Sequence, residues 1–497
     1  MLRLAALSLV AIFLVAGRPA LHLLRTAFRD QDDQTPLPPG QIDDASRMNA
    51  TAVHSVVDVP IQQDRAEEQL ATLLQTAREQ GLRVSIAGAR HSMGGHTLYP
   101  NGISINMLPL NHLQLDADTG ILRVGAGALW RDIIAYLDGR GRSVAVMQSN
   151  NSFSVGGSIS VNCHGWQYGK PPISSTVRSL RLMQSDGSIV RCSRTENAEL
   201  FSLVLGGYGL FGIILEVDLQ TVPNRRYRLE TSLVPAIDSL DTFDAQVLQR
   251  PEVSMVYARM NVSPERFLDD VMLYVLVDEP ATDGVIPALS SPGLVSLRRS
   301  VFRGAAASAY GKRLRWDAET KYRPNLNGSI YSRNQLLNES VEVFQDRSEK
   351  TTDILHEYFV PREHVADFVQ DLRTIIPAHA GNLLNVTVRK VETDFDTFLR
   401  YADGPVLALV MLFNHERTTI ADDQMRSMTS AMIEAVLHRK GRYYLPYRLH
   451  ATADQFRRAY PQSTAFFHLK RKYDPLELFQ NEFYLKYGQA NVGTQAN

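Results

Sequence analysis

Two segments, near residues 90 and 155, constrain this chain more than anything else in it. Ala87-Gly-Ala-Arg-His-Ser-Met-Gly-Gly95 follows directly on a strand pattern, Val84–Ala87. Gln148-Ser-Asn-Asn-Ser-Phe-Ser-Val-Gly-Gly-Ser-Ile-Ser-Val-Asn-Cys-His-Gly165 lies between apolar stretches. Loops this rich in Gly, Ser and Asn present successive backbone N–H groups as an anion-binding nest. Two nests in one block suit a pyrophosphate. Neither ends in G-K-[ST], which excludes a Walker A loop. A formal G-x-G-x-x-G occurs at Gly207-Tyr-Gly-Leu-Phe-Gly212, but it follows a helix pattern and opens the strand Ile213-Ile-Leu-Glu-Val217. A dinucleotide fingerprint needs a strand before it and a helix after it, so the Rossmann reading is rejected.

Charge and cysteine content narrow the class. Lys+Arg number 52 against 53 Asp+Glu, a formal charge of −1. That balance offers no broad phosphate-binding surface and argues against a nucleic-acid partner. Two cysteines, Cys163 and Cys192, exclude a disulfide scaffold and a cysteine-rich metal centre, and no metal site is expected. The apolar run Leu4–Ala16 is short for a membrane span and has the length of a signal-peptide core. Arg18, Arg25 and Arg29 downstream outweigh Arg3 upstream, which predicts a membrane tether with the catalytic body on the cytoplasmic side. Export through a signal peptide is the alternative, and a helix packed on the body is a third.

Along the chain, Asp30–Gly40 (DQDDQTPLPPG) reads as a linker. Residues 45–223 alternate short strands with helices at Arg65–Gln80 and Trp130–Asp138. Ser193-Arg-Thr-Glu196 reads as a capping box that opens a further helix through Leu205. From 224 to 455 longer strands alternate with helices such as Glu363–Thr374 and Thr419–Leu437, which predicts an α+β unit on an antiparallel sheet. Asp283–Asn327 reads as a surface excursion, and 456–497 as a basic, aromatic tail. Residues 1–44 hold the hydrophobic segment and the linker.

Residues 84–223 resemble the FAD-binding domain of the vanillyl-alcohol oxidase, or PCMH-type, superfamily. The landmarks are the Ala87–Gly95 loop, Gly125-Ala-Gly127, Ser154-Val-Gly-Gly157 with Cys163-His-Gly165, the Asp186-Gly187 hairpin, and Gly209–Glu216. Lys472–Phe479 and Asn481 resemble the closing segment that returns to the flavin domain. The resemblance implies a two-part FAD domain plus a substrate domain with a large antiparallel sheet covered by helices. It implies FAD contacts from Ala87, Gly88, Ala89, Arg90, His91, Ser92, Met93 and Gly94 in the first loop. It implies contacts from Ser149, Asn150, Ser154, Gly156, Gly157, Ser158, Cys163, His164 and Gly165 in the second. Gly212, Ile213, Tyr444 and Asn481 complete the set. Many members bond FAD covalently through a histidine at the place of His91.

Oxidising an alcohol on a flavin requires a C–H aimed at the flavin N5, a base for the hydroxyl proton, and positive charge for the reduced ring. Strand 385–392 carries Arg389, Lys390 and Glu392 inside an apolar run, and alternation puts Thr387 and Arg389 on one face. Gly441–Thr452 resembles the matching segment of decaprenylphosphoryl-ribose oxidases, which carry a lysine where this chain has Tyr447. Tyr447 or His450 is the candidate base, with Arg389 as the cation. His356-Glu357 and Asn414-His415 are weaker candidates. The expected activity is FAD-dependent oxidation of a sugar, polyol or aldonolactone-like small molecule. The electron acceptor is O2, a quinone or a partner protein. A lipid-linked sugar epimerase subunit and a flavin protein without turnover are the alternatives.

Overall fold

The computed structural model describes residues 17–489 apart from 281–284, 291–292, 307 and 323–325. The run Leu4–Ala16 lies outside the described residues, and no described helix is long and apolar enough to cross a membrane.

The first block builds two sheets. Strands Ser55–Asp58, Ile103–Asn106 and Val84–Ala87 form a parallel three-stranded sheet. Parallel neighbours need a crossover, and the helix Gln63–Gln80 supplies one. It buries Ala66, Leu70, Leu74 and Ala77 along one stripe and stops at Gly81, whose φ of +67° closes a left-handed cap. The second sheet is antiparallel and runs Ile189–Ser193, Val177–Met183, Ile213–Pro223, Ile121–Gly125, Leu113–Asp116, with Arg142–Val144 paired to the end of the long central strand. The expected capping box at Ser193 is instead a turn. Its Oγ accepts the Glu196 N–H at 3.0 Å, but Asn197 turns to φ +47° and the helix begins at Ala198.

The second block is one eight-stranded antiparallel sheet. Its order is Ile330–Ser332, Arg226–Pro235, Asp270–Asp278, Val253–Met260, Leu383–Val391, Val406–Glu416, Thr351–Pro361, Arg442–Tyr443. Helices Val365–Ala378 and Thr419–His438 cover one face. Tyr358 faces that layer, packing against Phe368. Alternation therefore turns Leu355 and Glu357 to the opposite face, toward the first block. The stretch expected as a surface excursion is instead helical in Val295–Ala306 and Ala309–Asp317, and it buries Arg299, Phe302 and Arg303.

The tail returns to the first block. Val84 N–H donates to Leu478 at 2.8 Å and Gln480 N–H donates to Val84 at 3.0 Å, adding an edge partner to the parallel sheet. The buried Lys470–Asp474 ion pair shapes this return, and Asp474 also accepts the N–H groups of Leu478 and Phe479. Removing one member of such a pair strands the other charge. Asp474→Ala is expected to cost about 3–5 kcal/mol in denaturant unfolding, whereas a loss within the scatter of surface variants would contradict this role.

Candidate active site

The strand Val84–Ala87 delivers its loop into the gap between the two blocks, and the second loop meets it there. A Cβ on Gly88 would lie 2.0 Å from Ser154 Oγ, and Ala89 N–H donates to that oxygen at 3.4 Å. Only a glycine allows this approach. Arg90 stands at φ +52°, a turn that aims consecutive N–H groups to one side. Among the described residues, the N–H groups of Arg90, His91 and Ser92 donate to no protein acceptor. Ser92 Oγ and Asn150 Oδ1 are buried without a partner as well.

Between these loops and the sheet lies a cavity of about 690 Å³, toward the upper end of small-molecule sites. Gly88–Met93, Ser154 and Gly156–Ser158 line one end. Alternate residues of the sheet line the other: Tyr257 and Arg259, Asn385, Thr387 and Arg389, Leu355 and Glu357.

His91 stacks on Phe153 with ring centroids 4.1 Å apart, and its Nε2 meets the Ser152 carbonyl at 3.3 Å. A carbonyl oxygen only accepts, so Nε2 carries the proton and Nδ1 the lone pair. Burial pushes the His91 pKa down, which keeps the ring neutral.

At the sheet end the centre is Glu357, which the sequence marked only as a weak candidate. One carboxylate oxygen meets His164 Nε2 and the other accepts the Tyr447 hydroxyl at 3.1 Å. Burial, reinforced by the Glu357 charge, pushes the Tyr447 phenol far above its usual range. Tyr447 is therefore a proton donor to the carboxylate, which corrects its expected role as base. Arg389 donates to Ser149 Oγ at 2.6 Å, and its buried Nε has no partner. Tyr444 donates to the Val161 carbonyl at 2.7 Å and stands edge-on to Tyr447. Burial pushes the Cys163 thiol up to about 12, so it stays protonated while hydrogen-bonded to Gln148.

His450 is displaced from the role expected of it. It does not border the cavity but meets Asp422 at 3.2 Å and Thr429 at 3.0 Å, in a buried charge network with Arg448. Ala87, Gly94, Gly165, Ile213 and Asn481 also stand behind the wall rather than in it. Ile213 packs into the core beneath the helix Gln63–Gln80, and its neighbours Gly212 and Ile214 face the cavity instead. Gly94 and Gly165 are close-approach positions, where a Cβ would meet the Tyr447 and Met147 carbonyls at 2.3 and 2.0 Å. Asn481 ties the tail to the site by donating to the His96 and Tyr208 carbonyls at 2.9 and 2.8 Å. Of the weaker candidates, Glu357 lines the cavity while His356, Asn414 and His415 do not; the remaining cofactor candidates line it, with Arg389 and Tyr447. Arg259, Trp166, Arg298 and Phe302 also line it, and sequence reasoning missed them. Arg259 had the signal that marked Arg389, a charge inside an apolar strand.

A paired-loop nest facing a buried His–carboxylate–Tyr cluster suits a phosphate-bearing cofactor beside a polar substrate pocket. Residues 63–193 match the family model described as FAD binding domain, and residues 309–487 match the one described as D-arabinono-1,4-lactone oxidase. L-gulonolactone oxidase of Mus musculus is 31% identical over 179 residues, covering 35% of this chain and 40% of that protein. The Bos taurus enzyme of the same name is 29% identical over 186 residues, 36% of this chain and 42% of its own. Cytokinin dehydrogenase 2 of Arabidopsis thaliana is 33% identical over 133 residues, 27% and 26%. The matched part thus spans well under two thirds of these relatives. Residues 63–193 are an FAD-binding domain of the PCMH type, and the cofactor is FAD. The unpaired N–H groups and the glycine contact of the first loop fit that cofactor's pyrophosphate.

Gly88→Ala is expected to force the two loops apart, so that purified protein holds FAD below stoichiometric amounts by absorbance. Adding Ser154→Gly removes the colliding atoms and should restore it. Full FAD content in the single variant would refute the close-approach argument.

Proposed function

We propose that the protein oxidises a CH–OH group of a sugar-derived, lactone-like small molecule. The observation that carries this reading is a buried carboxylate, Glu357, held between His164 and Tyr447 in the cavity wall. FAD, when bound, supplies the acceptor for the two electrons and the hydrogen that leave the carbon. Glu357 accepts the hydroxyl proton of the substrate. The His164 ring and the Tyr447 hydroxyl fix the carboxylate's orientation, so its basic oxygen does not have to be reorganised. Arg389 supplies fixed positive charge beside it, where negative charge develops as the proton leaves. The match of residues 309–487 to D-arabinono-1,4-lactone oxidase supports the substrate class.

The reading includes a covalent bond from His91 to the flavin, formed by the neutral Nδ1. It includes the division at 45–223, 224–455 and 456–497. It also includes a tether through residues 4–16 with the catalytic body on the cytoplasmic side, which would favour a quinone or partner protein as electron acceptor.

Glu357→Gln keeps the shape and removes the base. Anaerobic flavin bleaching by a responsive sugar, polyol or lactone should slow about 10²–10⁴-fold with FAD content intact. An unchanged rate removes the assignment, and no bleaching by any such compound favours a flavin protein without turnover. Acid precipitation should leave the yellow colour in the pellet, and His91→Ala should release it to the supernatant. Colour already free in the unaltered protein would disprove the bond.

A further inference from the structure

The sheet end of the cavity is rich in donors and poor in acceptors. Three buried nitrogens that line it or belong to its lining residues have no hydrogen-bond partner: Arg259 Nε, Arg389 Nε and Trp166 Nε1. All three are donor-only groups. One neutral oxygen, Asn385 Oδ1, takes up Arg259 Nη1 at 2.5 Å and Arg315 Nη2 at 2.6 Å together. Its amide nitrogen donates onward to Thr387 Oγ1 at 3.0 Å, so the oxygen is committed to the guanidinium side. The Glu319 carboxylate is ion-paired with Arg259 at 3.7 Å from Nε, beyond hydrogen-bond reach, and also accepts the Tyr274 hydroxyl. Burial lowers the Arg389 pKa, Glu357 opposes that, and Arg259 adds to it, so the two cations feel each other across the strand pair.

From this arrangement we infer that the substrate carries an oxyanion group, a carboxylate or a phosphate ester, seated against Arg259, at the end of the cavity away from Glu357. Buried donors are paired in native proteins, so a ligand that fits here brings several acceptor oxygens. An oxyanion does so, and its hydrogen bonds to guanidinium are the strong, charge-assisted kind. Register gives the substrate its length. Glu357 pairs with Val410, Val410 with Thr387, and Thr387 with Arg259. The base and the outer cation thus stand three strand spacings apart, about 14 Å between their backbones. Side chains reaching inward from both ends leave the span of a sugar-sized acid. Its CH–OH end sits at Glu357 and its anionic end at Arg259, which keeps the two negative charges apart. A neutral polyol or lactone meets these donors only with neutral hydroxyl or carbonyl oxygens, whose hydrogen bonds to guanidinium lack the second charge.

This inference rests on the proposed alcohol oxidation, and the experiment separates the two. Holoenzyme is mixed anaerobically with matched neutral, carboxylate and phosphate-ester forms of hydroxy compounds that share a carbon skeleton. Flavin bleaching is followed over a concentration series. In parallel, malonate and inorganic phosphate are titrated against the oxidised flavin spectrum. At least one anionic series should reach half-maximal bleaching at roughly ten-fold or lower concentration than its neutral counterpart, a preference of the size that a hydrogen bond to a charge supports. Whether malonate or phosphate perturbs the spectrum more tightly tells carboxylate from phosphate. Arg259→Met should remove the preference and the spectral response while leaving neutral compounds and FAD content unchanged. Arg259→Lys should restore part of the preference. If neutral compounds bleach the flavin as readily as anionic ones and Arg259→Met leaves that ratio alone, the inference is overturned although the oxidation stands. If malonate or phosphate binds through Arg259 but no alcohol bleaches the flavin, the anion site stands and the oxidation falls.

Discussion

A carboxylate in a protein interior is tolerated only when its oxygens are taken up by donors, because desolvation of the charge outweighs any packing gain. Glu357 meets that condition by drawing on three separate stretches of chain. Its own strand, Thr351–Pro361, lies inside the large sheet, His164 comes from the second glycine-rich loop, and Tyr447 comes from the segment after the last helix of the sheet layer. The same strand also holds Tyr444 N–H on the Glu357 carbonyl at 2.9 Å. The large sheet, the glycine-rich loops and the C-terminal segment are thus locked together by the group proposed as the base. A slip of one residue in that strand would send Glu357 into the helical layer and Tyr358 into the cavity.

The cofactor end works by the opposite means. Its contacts come from backbone, and the essential quantity is distance. Gly88 lets Ser154 come close, Gly94 admits the Tyr447 carbonyl, and Gly165 admits that of Met147. Side chains would hold these segments apart. Here glycine is used for its missing Cβ more than for its dihedral freedom. Asn481 and the Asp474 turn then fix the tail across the back of the nest. This is why the C-terminus belongs physically to the first block.

Much of this was legible in the residues. The two nests and the reversed polarity of the Gly207–Gly212 decoy rest on local chemistry that survives without tertiary context, whereas the returning tail was legible only through resemblance. The helices of 295–317 were missed because their basic, small-residue composition carries no clear apolar stripe. Arg299 and Arg303 are buried there by ion pairs with Asp30, Asp346 and Asp353. His450 was misread for a related reason: a histidine in an aromatic segment looks the same whether it faces substrate or, as here, Asp422.

The sequence by itself determined the class, since glycine spacing and strand polarity are properties of neighbours along the chain. Resemblance also pointed to strand 385–392 as a wall of the substrate pocket, and Arg389 does line the cavity. Only the tertiary structure decided which carboxylate lines the cavity, as the proposed base, and which cations share it. Glu357, Arg389 and Arg259 lie on three different strands, and their common face is set by sheet order and register. Those depend on pairings between residues 23, 53 and 128 positions apart, which no local pattern records.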